Sequence, residues 1–294
     1  MGWLNSGTWR KIPMSRSKSH ADEPSVISDT NLSRAWARLF LAIYESRRTE
    51  ISPLTLSLTG FDADGVIPEI SDVRDTLDRT LKLKKKISVD TVAFTIFPER
   101  LWKIARGNRE RLFALYAGVF PRYVAMNRSA NGRGLYFERM THFNEVTPAN
   151  GNQLEFILSN WKEGVRDTML QVSIFDPARD HTRQARLVFP CLQHVSFVPT
   201  NEGLVANAFY ATQYVFDKAY GNYLGLARLG AFMAHEMQLP LVRLNVTVGV
   251  AKLDGVRKKD VSLEPMIAAL RAAVAPSIVP GIGEPVGLAG GVSV

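Results

Sequence analysis

Cys191 lies in the stretch ARLVFPCLQHVSF, residues 185 to 197, and is the only cysteine among 294 residues. A free cysteine is usually an inert buried hydrophobe, but its thiolate is a strong nucleophile where the thiol pKa is lowered. Pro190 ends or bends a strand just before the thiol, and Arg183 and Arg186 supply cationic side chains upstream. These residues leave two alternatives open, a core cysteine or a nucleophile at the end of a strand.

The signatures of several other catalytic classes are missing from the sequence. It contains no GxSxG, GxGxxG, P-loop or HExxH motif. The five histidines lie far apart and form no metal-ligand spacing, so we expect them to be structural or exposed and expect no metal site.

The composition favours a soluble protein with an anionic partner. The net charge is +8 and the isoelectric point is near 9.6, which favours nucleotides, polyglutamylated cofactors or nucleic acid. No apolar run is long enough to span a membrane, the first 20 residues lack the apolar core of a signal peptide, and a single cysteine fits a reducing compartment. We therefore expect a cytoplasmic protein that does not bind membranes.

The pattern of elements predicts an α+β fold. Residues 1–29 are polar and basic, which predicts a flexible N-terminal arm, and residues 30–294 are predicted to form one domain. Alternating stretches predict strands near residues 52–61, 167–177, 185–199, 204–216 and 242–253; periodic stretches predict helices near 31–46, 69–86, 98–108, 109–124, 152–163 and 221–239. Irregular alternation of the two types indicates a mixed or antiparallel sheet flanked by helices.

Several segments together resemble the thymidylate synthase family of pyrimidine methylases and hydroxymethylases. FPCLQHVSF, followed by GLVANAFYATQYVFDKAYGNYLGLARLGAFMAHEMQLPL, resembles that family's strand ending in Pro-Cys, its next strand, its loop ending in Asn and its long apolar helix. PERLWKIARGN, GRGLYFERMTHF and NQLEFILSNWKEGVRDTMLQVSIFDP resemble three further family segments in the same order. The resemblance spans roughly residues 90 to 254 and implies a thymidylate-synthase-like fold that dimerises through its sheet.

The resemblance also implies roles for individual residues. Cys191 would add to carbon 6 of a pyrimidine, which makes carbon 5 able to attack a one-carbon unit on 5,10-methylenetetrahydrofolate. Glu99 and Tyr136 would organise water and move protons. Asn222 would hydrogen-bond the ring edge, and its amide suits a uracil-type edge because it offers both a donor and an acceptor. Trp102 occupies the position of the family's active-site tryptophan and is assigned to the cofactor side.

Each of these residues also has a purely structural alternative. Glu99 could be an acidic residue in the first turn of a helix, stabilised by the helix dipole. Tyr136 could be a core aromatic residue, and Asn222 could cap the helix that follows it.

The segments that correspond to the family's phosphate-binding and cofactor-binding segments differ from the family's pattern. Ala211 stands where the family has the arginine that binds phosphate and helps to ionise the cysteine. Tyr214 stands where the family has an aspartate that contacts folate, and it is assigned to the cofactor side with Trp102. Charged phosphate contacts contribute ~1.5–3 kcal/mol each, so their loss predicts weak binding of a nucleotide monophosphate in the family's usual pose.

Other basic residues are candidates to bind the negatively charged group of the substrate. Arg166 is the nearest candidate for the arginines that the family supplies from a partner subunit, and Arg183 or Arg186 could replace the missing arginine beside the cysteine. Lys252, with Lys218 and Arg257, is a candidate where the pyrimidine is part of a polymer or a larger metabolite.

The leading hypothesis from the sequence is a divergent homodimeric enzyme of the thymidylate synthase type. It would transfer a methyl or hydroxymethyl group to carbon 5 of a uracil-type pyrimidine nucleotide through a covalent adduct with Cys191. Two alternatives stay open: a catalytically retired nucleotide-binding sensor or scaffold with the same fold, and an enzyme that acts on a non-standard or polymeric pyrimidine.

Overall fold

The computed structural model describes residues 23–132, 134–144, 147–162, 164–181 and 190–275. These residues form a seven-stranded mixed sheet with the strand order β1-β3-β7-β6-β5-β4, and β2 pairs with β7 beside β3. The pairs β1–β3 and β6–β7 are parallel and the other pairs are antiparallel. The strands are β1 Ser25–Asp29, β2 Glu50–Ile51, β3 Leu54–Leu58, β4 Gln171–Ser173, β5 Leu192–Thr200, β6 Gly203–Tyr214 and β7 Leu241–Lys252.

Helices flank this sheet, which confirms the α+β class and the mixed sheet expected from the sequence. The helices are α1 Leu32–Glu45, α2 Ser71–Leu83, α3 Val89–Ile96, α4 Glu99–Ala105, α5 Arg109–Met126, α6 Arg128–Asn131, α7 Tyr136–Thr141, α8 Gln153–Asn160, α9 Pro177–Asp180, α10 Tyr220–Glu236 and α11 Glu264–Val274. A π-helical turn, Val215–Ala219, joins β6 to α10.

Helix α10 is the crossover between the parallel strands β6 and β7, and it lies at the centre of the packing. It is apolar on almost all sides, and it packs against both of these strands, against α1 and against α3. Gly221 and Gly225 bring α3 close: a Cβ atom on Gly225 would lie 2.8 Å from the carbonyl oxygen of Ala93. The small residues therefore fix the distance between these two helices.

The strands bury one face of the sheet more completely than the other. In β7, Leu244, Val246 and Val248 are buried, whereas the alternate residues are half-buried or exposed. On that second face Phe209 of β6 is 42% exposed, and Asn207 and Asn245 are joined by a hydrogen bond of 3.0 Å between their side chains. The sheet thus presents a face of mixed polar and apolar character opposite the core.

The structure corrects the sequence analysis at the N-terminus and adds elements that the sequence patterns did not predict. Residues 25–29 were assigned to the flexible arm, but they form β1, because their backbone pairs in parallel with β3. Strand β2 and helices α3, α6, α7, α9 and α11 were also not predicted. Residues 1–22, and the residues 185–189 that were predicted to begin the strand before Cys191, lie outside the described residues.

The contact between α10 and α3 gives a stability prediction with a matched control. Gly225→Ala should lower the free energy of unfolding by about 1–3 kcal/mol, because the added methyl group meets backbone atoms of α3. Gly118→Ala, in the exposed part of α5 where a Cβ meets nothing within 4 Å, should raise it by about 0.5–1 kcal/mol. Urea unfolding measures both, and equal effects of the two substitutions would contradict this packing.

Candidate active site

A cavity of about 300 Å³ opens where the ends of β5 and β6 meet the π-turn, α3 and the segment before α7. It is more apolar than polar, as binding sites for small molecules commonly are. The residues that line it are Ile87, Val92, Thr95, Asn131, Gly134, Leu135, Tyr136, Arg139, Pro190, Cys191, Gln213, Tyr214, Lys218 and Asn222.

Three of the residues assigned from the resemblance meet in this cavity. Cys191 immediately precedes β5, and its carbonyl oxygen accepts a hydrogen bond of 3.0 Å from the amide of Ala211 on β6. Tyr136 is the first residue of α7, and its phenol lies against the backbone of Cys191. Asn222 lies in the first turn of α10. Residues from three distant segments of the chain therefore surround one space.

Asn222 is not the helix cap that the structural alternative required. The π-turn runs directly into α10, so residue 219 occupies the cap position and Asn222 lies inside the helix. Its side chain is 4% exposed and makes no hydrogen bond to another described residue. A buried amide with free donors and acceptors can hydrogen-bond a ligand in the cavity.

The surroundings of Cys191 do not ionise it in the resting protein. The thiol is partly buried against the core, and this burial raises its pKa above the usual value, although the nearby Lys218 acts in the opposite direction. Burial likewise raises the pKa of Tyr136, so its phenol stays protonated and can act as a proton donor. The resting cavity therefore holds a neutral thiol beside a neutral phenol.

Lys218 and Gln213 contribute further polar groups that the resemblance did not assign to the site. Lys218 lies on the π-turn, and burial lowers its pKa. The side-chain oxygen of Gln213 accepts a hydrogen bond of 2.6 Å from the Tyr223 hydroxyl, while its nitrogen is buried and unpaired among the described residues. The π-turn has no recognisable signal in the sequence, and its first two residues were expected to end a strand.

The cavity wall includes a buried ion pair between Arg139 and Asp180. Both guanidinium nitrogens contact the carboxylate, at 2.6 and 2.8 Å, and one of them also donates to the carbonyl oxygen of Ile174 at 2.9 Å. Both side chains are almost completely buried. The pair fastens α7 to α9 and so fixes the start of α7, where Tyr136 lies.

Other assigned residues lie outside the cavity lining. The Glu99 carboxylate pairs with Lys103 at 2.9 Å and with Arg228 at 3.2 Å, in the first turn of α4, as in its structural alternative. Trp102 packs against Phe232, with ring centroids 5.0 Å apart. The structure therefore does not bring these two residues to the thiol.

The assigned basic residues are not among those that line the cavity either. Lys252 lies 3.7 Å from the carboxylate of Glu50 at the end of β7, and Arg166 precedes a short 3-10 turn. Arg183 and Arg186 lie outside the described residues. Tyr214, assigned to the cofactor side, does line the cavity and is 38% exposed.

Comparisons with known proteins add no family to this description. No protein-family model matches the chain, and no curated protein matches it either. Across the described ranges no three His, Cys, Asp or Glu side chains are grouped to hold a metal ion. No helix in those ranges is long and apolar enough to cross a membrane.

The Arg139–Asp180 pair gives a prediction that depends on pH. Burial acts to raise the pKa of Asp180, but hydrogen bonds from Arg139 hold it below its usual value. Asp180→Asn should lower the free energy of unfolding by about 3–5 kcal/mol at pH 7, because it removes the carboxylate that neutralises a buried guanidinium. The stabilisation exists above the unfolded pKa of about 3.9, so the difference from wild type should shrink below about pH 4.

Urea unfolding from pH 7 to pH 3 measures this difference. Asp64→Asn, at an exposed aspartate, is the control and should change the free energy of unfolding by less than about 0.5 kcal/mol. An Asp180→Asn variant as stable as the control at pH 7 would contradict the ion pair.

Proposed function

We propose that this chain is a divergent thymidylate-synthase-like enzyme, which transfers a one-carbon unit to carbon 5 of a uracil-type pyrimidine through a covalent adduct with Cys191. The observation that carries the proposal is that Tyr136, Cys191 and Asn222 line one cavity. The resemblance assigned these three residues to one site from segments that lie 31 to 86 positions apart along the chain. An accidental likeness of sequence would give no reason for them to meet.

The three side chains have complementary roles in this reaction. The Asn222 amide can accept a hydrogen bond from the ring N–H and donate one to the adjacent carbonyl oxygen, which orients a uracil-type edge. The Cys191 thiolate then adds to carbon 6, and the electron pair of the 5,6 double bond moves onto carbon 5 and the ring carbonyl. The Tyr136 phenol is protonated and can stabilise that oxygen by a hydrogen bond.

The remaining steps restore the ring. Once carbon 5 is bonded to the one-carbon unit it loses its proton to solvent, and the electrons of that C–H bond would release the unit from the donor's nitrogen. Hydride supplied by the donor, for a methyl product, or water, for a hydroxymethyl product, would then add to the one-carbon unit, and the thiolate leaves carbon 6 as the 5,6 double bond re-forms. Because burial raises the resting pKa of Cys191, ionisation has to accompany ligand binding.

The donor of the one-carbon unit is assigned by the resemblance, as 5,10-methylenetetrahydrofolate. Tyr214 offers an aromatic surface at the cavity that fits a flat pterin ring. Trp102, the second expected cofactor contact, packs against Phe232 instead. The described side chains thus fit the folate group only in part. The roles proposed for Cys191, Tyr136 and Asn222 concern the pyrimidine ring and do not involve contacts with folate.

A pyrimidine-binding sensor with a retired catalytic site is the second candidate. Two observations favour it: burial raises the pKa of Cys191, and the Glu99 carboxylate is engaged by Lys103 and Arg228 rather than by groups of the cavity. In this case the cavity would bind a pyrimidine reversibly, and Cys191→Ala would bind it as tightly as wild type.

Release of tritium from carbon 5 tests the enzymatic proposal. Wild type should release tritium from 5-tritiated uridine or deoxyuridine monophosphate in the presence of methylenetetrahydrofolate, and Cys191→Ser should release none. Tyr136→Phe should slow release by about 100-fold or more, because it removes the proton donor, whereas the matched control Tyr44→Phe on α1 should not. Release by Cys191→Ser at the wild-type rate, or none from wild type, would refute the proposal.

The proposal includes a homodimer that pairs through the sheet, as the resemblance implies. The sheet face opposite the core suits a second copy of the chain, because it is broad, mixed in polarity and carries the exposed Phe209. Phe209→Asp should convert a dimer into a monomer in sedimentation velocity, since it places a charge in the interface. Val261→Asp, at an exposed valine outside the sheet, should leave the dimer intact; a monomeric wild type would contradict the proposal.

A further inference from the structure

The cavity beside Cys191 is lined by a lysine that forms no salt bridge with a neighbouring carboxylate of the described chain. Lys218 lines the cavity and makes no ion pair or hydrogen bond with another described residue. The adjacent Asp217 instead pairs with Lys86, with 3.2 Å between nitrogen and oxygen. The other cavity cation, Arg139, is bound by Asp180, and no Asp or Glu is among the lining residues. The charged side chains that line the cavity are therefore all cations, although the Asp217 carboxylate beside Lys218 also acts on that lysine electrostatically.

Gln213 supplies an unpaired hydrogen-bond donor in the same cavity. Its side chain is 1% exposed, and the Tyr223 hydroxyl holds its oxygen at 2.6 Å. The other end of the amide, the nitrogen, is buried without a hydrogen-bond partner in the described chain. Leaving a buried donor unpaired is unfavourable, and a hydrogen bond to a ligand oxygen placed in the cavity would remove that cost.

The local backbone explains why these two groups accompany the thiol. Gln213 lies near the end of β6, and Lys218 lies on the π-turn that follows it. The Trp36 indole donates a hydrogen bond of 2.9 Å to the carbonyl oxygen of Val215, which fastens the turn to α1. π-Turns often occur at functional sites because they redirect side chains from the helical path.

We propose that Lys218 and Gln213 form an anion-binding and carbonyl-binding pair beside Cys191, so that the ligand of this cavity is a flat, carbonyl-bearing ring with a negatively charged group. This deepens the proposed function, since it names the charge of the pyrimidine that the cavity accepts. The charge is carried either by a carboxylate on the ring or by a phosphate on the attached sugar. In both cases Lys218 pairs with the anion and Gln213 donates to a ring carbonyl oxygen.

The single cysteine permits a test that needs no substrate. Iodoacetate and iodoacetamide alkylate the same thiolate and differ mainly in charge. The ratio of the iodoacetate rate to the iodoacetamide rate at Cys191 therefore reports the local electrostatic potential and does not depend on the ionised fraction of the thiol. We expect this ratio to exceed that of 2-mercaptoethanol at the same pH by about fivefold or more, because the Lys218 side chain, which lines the same cavity as Cys191, attracts the anionic reagent.

Four variants assign the effect to the proposed groups. Lys218→Met should bring the ratio down to that of the small thiol, and Lys218→Arg should keep it high. Gln213→Glu, which has nearly the same shape, should also lower it because it adds a negative charge. Lys162→Met, at an exposed lysine outside the cavity, should leave the ratio unchanged. Urea unfolding of each variant verifies that it is folded.

Protection of Cys191 from iodoacetamide identifies which anion is bound. Uracil-5-carboxylate should protect better than uracil if the ring carries the charge, and uridine monophosphate should protect better than uridine if the phosphate does. Lys218→Met should abolish either advantage. An anionic ligand that protects no better than its neutral counterpart in both pairs would overturn the proposal.

The proposal is also overturned by a wild-type rate ratio equal to that of the small thiol, by a ratio that Lys218→Met leaves unchanged, or by a thiol that neither reagent reaches. Its failure differs from a failure of the proposed function. A high ratio that depends on Lys218, without tritium release, refutes the one-carbon transfer and leaves the anion site. Tritium release with an ordinary ratio refutes only the anion site.

Discussion

The burial of α10 on nearly all sides is the constraint on which the rest of the structure depends. This helix fills the space between the sheet and α3, where Gly221 and Gly225 permit backbone contact. Its start is fastened to α1, because the hydroxyl of Tyr220 lies 2.7 Å from that of Ser33. A helix held so closely cannot slide or rotate, so Asn222 and the preceding π-turn keep fixed positions beside Cys191.

The elements with strong patterns could be predicted from the sequence. The apolar spacing of Leu32, Trp36, Leu39, Phe40 and Ile43 predicted α1, and all five side chains are buried. Strand β1 could not be predicted, because SVISD is short and follows a polar arm, and its pairing with β3 is a tertiary contact. Helix α3 has the β-branched sequence VDTVAFTI, so its helical state depends on packing against α10.

The candidate site, like the fold, could be predicted only in part from the sequence. Cys191, Tyr136, Asn222 and Tyr214 were assigned by the family resemblance, and all four line the cavity. A short motif carries no information about the ion pairs that a side chain will meet in the folded protein, and Glu99 lies with Lys103 and Arg228. The roles of Gln213 and Lys218 depend on a π-turn, which has no recognisable sequence signal.

The central claim is that Cys191 adds covalently to a pyrimidine ring, and the ring chromophore tests it most directly. Addition to carbon 6 removes the 5,6 double bond, so mixing uridine monophosphate with enough protein to bind all of it should reduce the ultraviolet absorbance of the ring. Denaturation should restore that absorbance as the thiolate leaves. The account predicts this loss for wild type and none for Cys191→Ser. Unchanged absorbance in wild type, under conditions where binding is saturated, would contradict it.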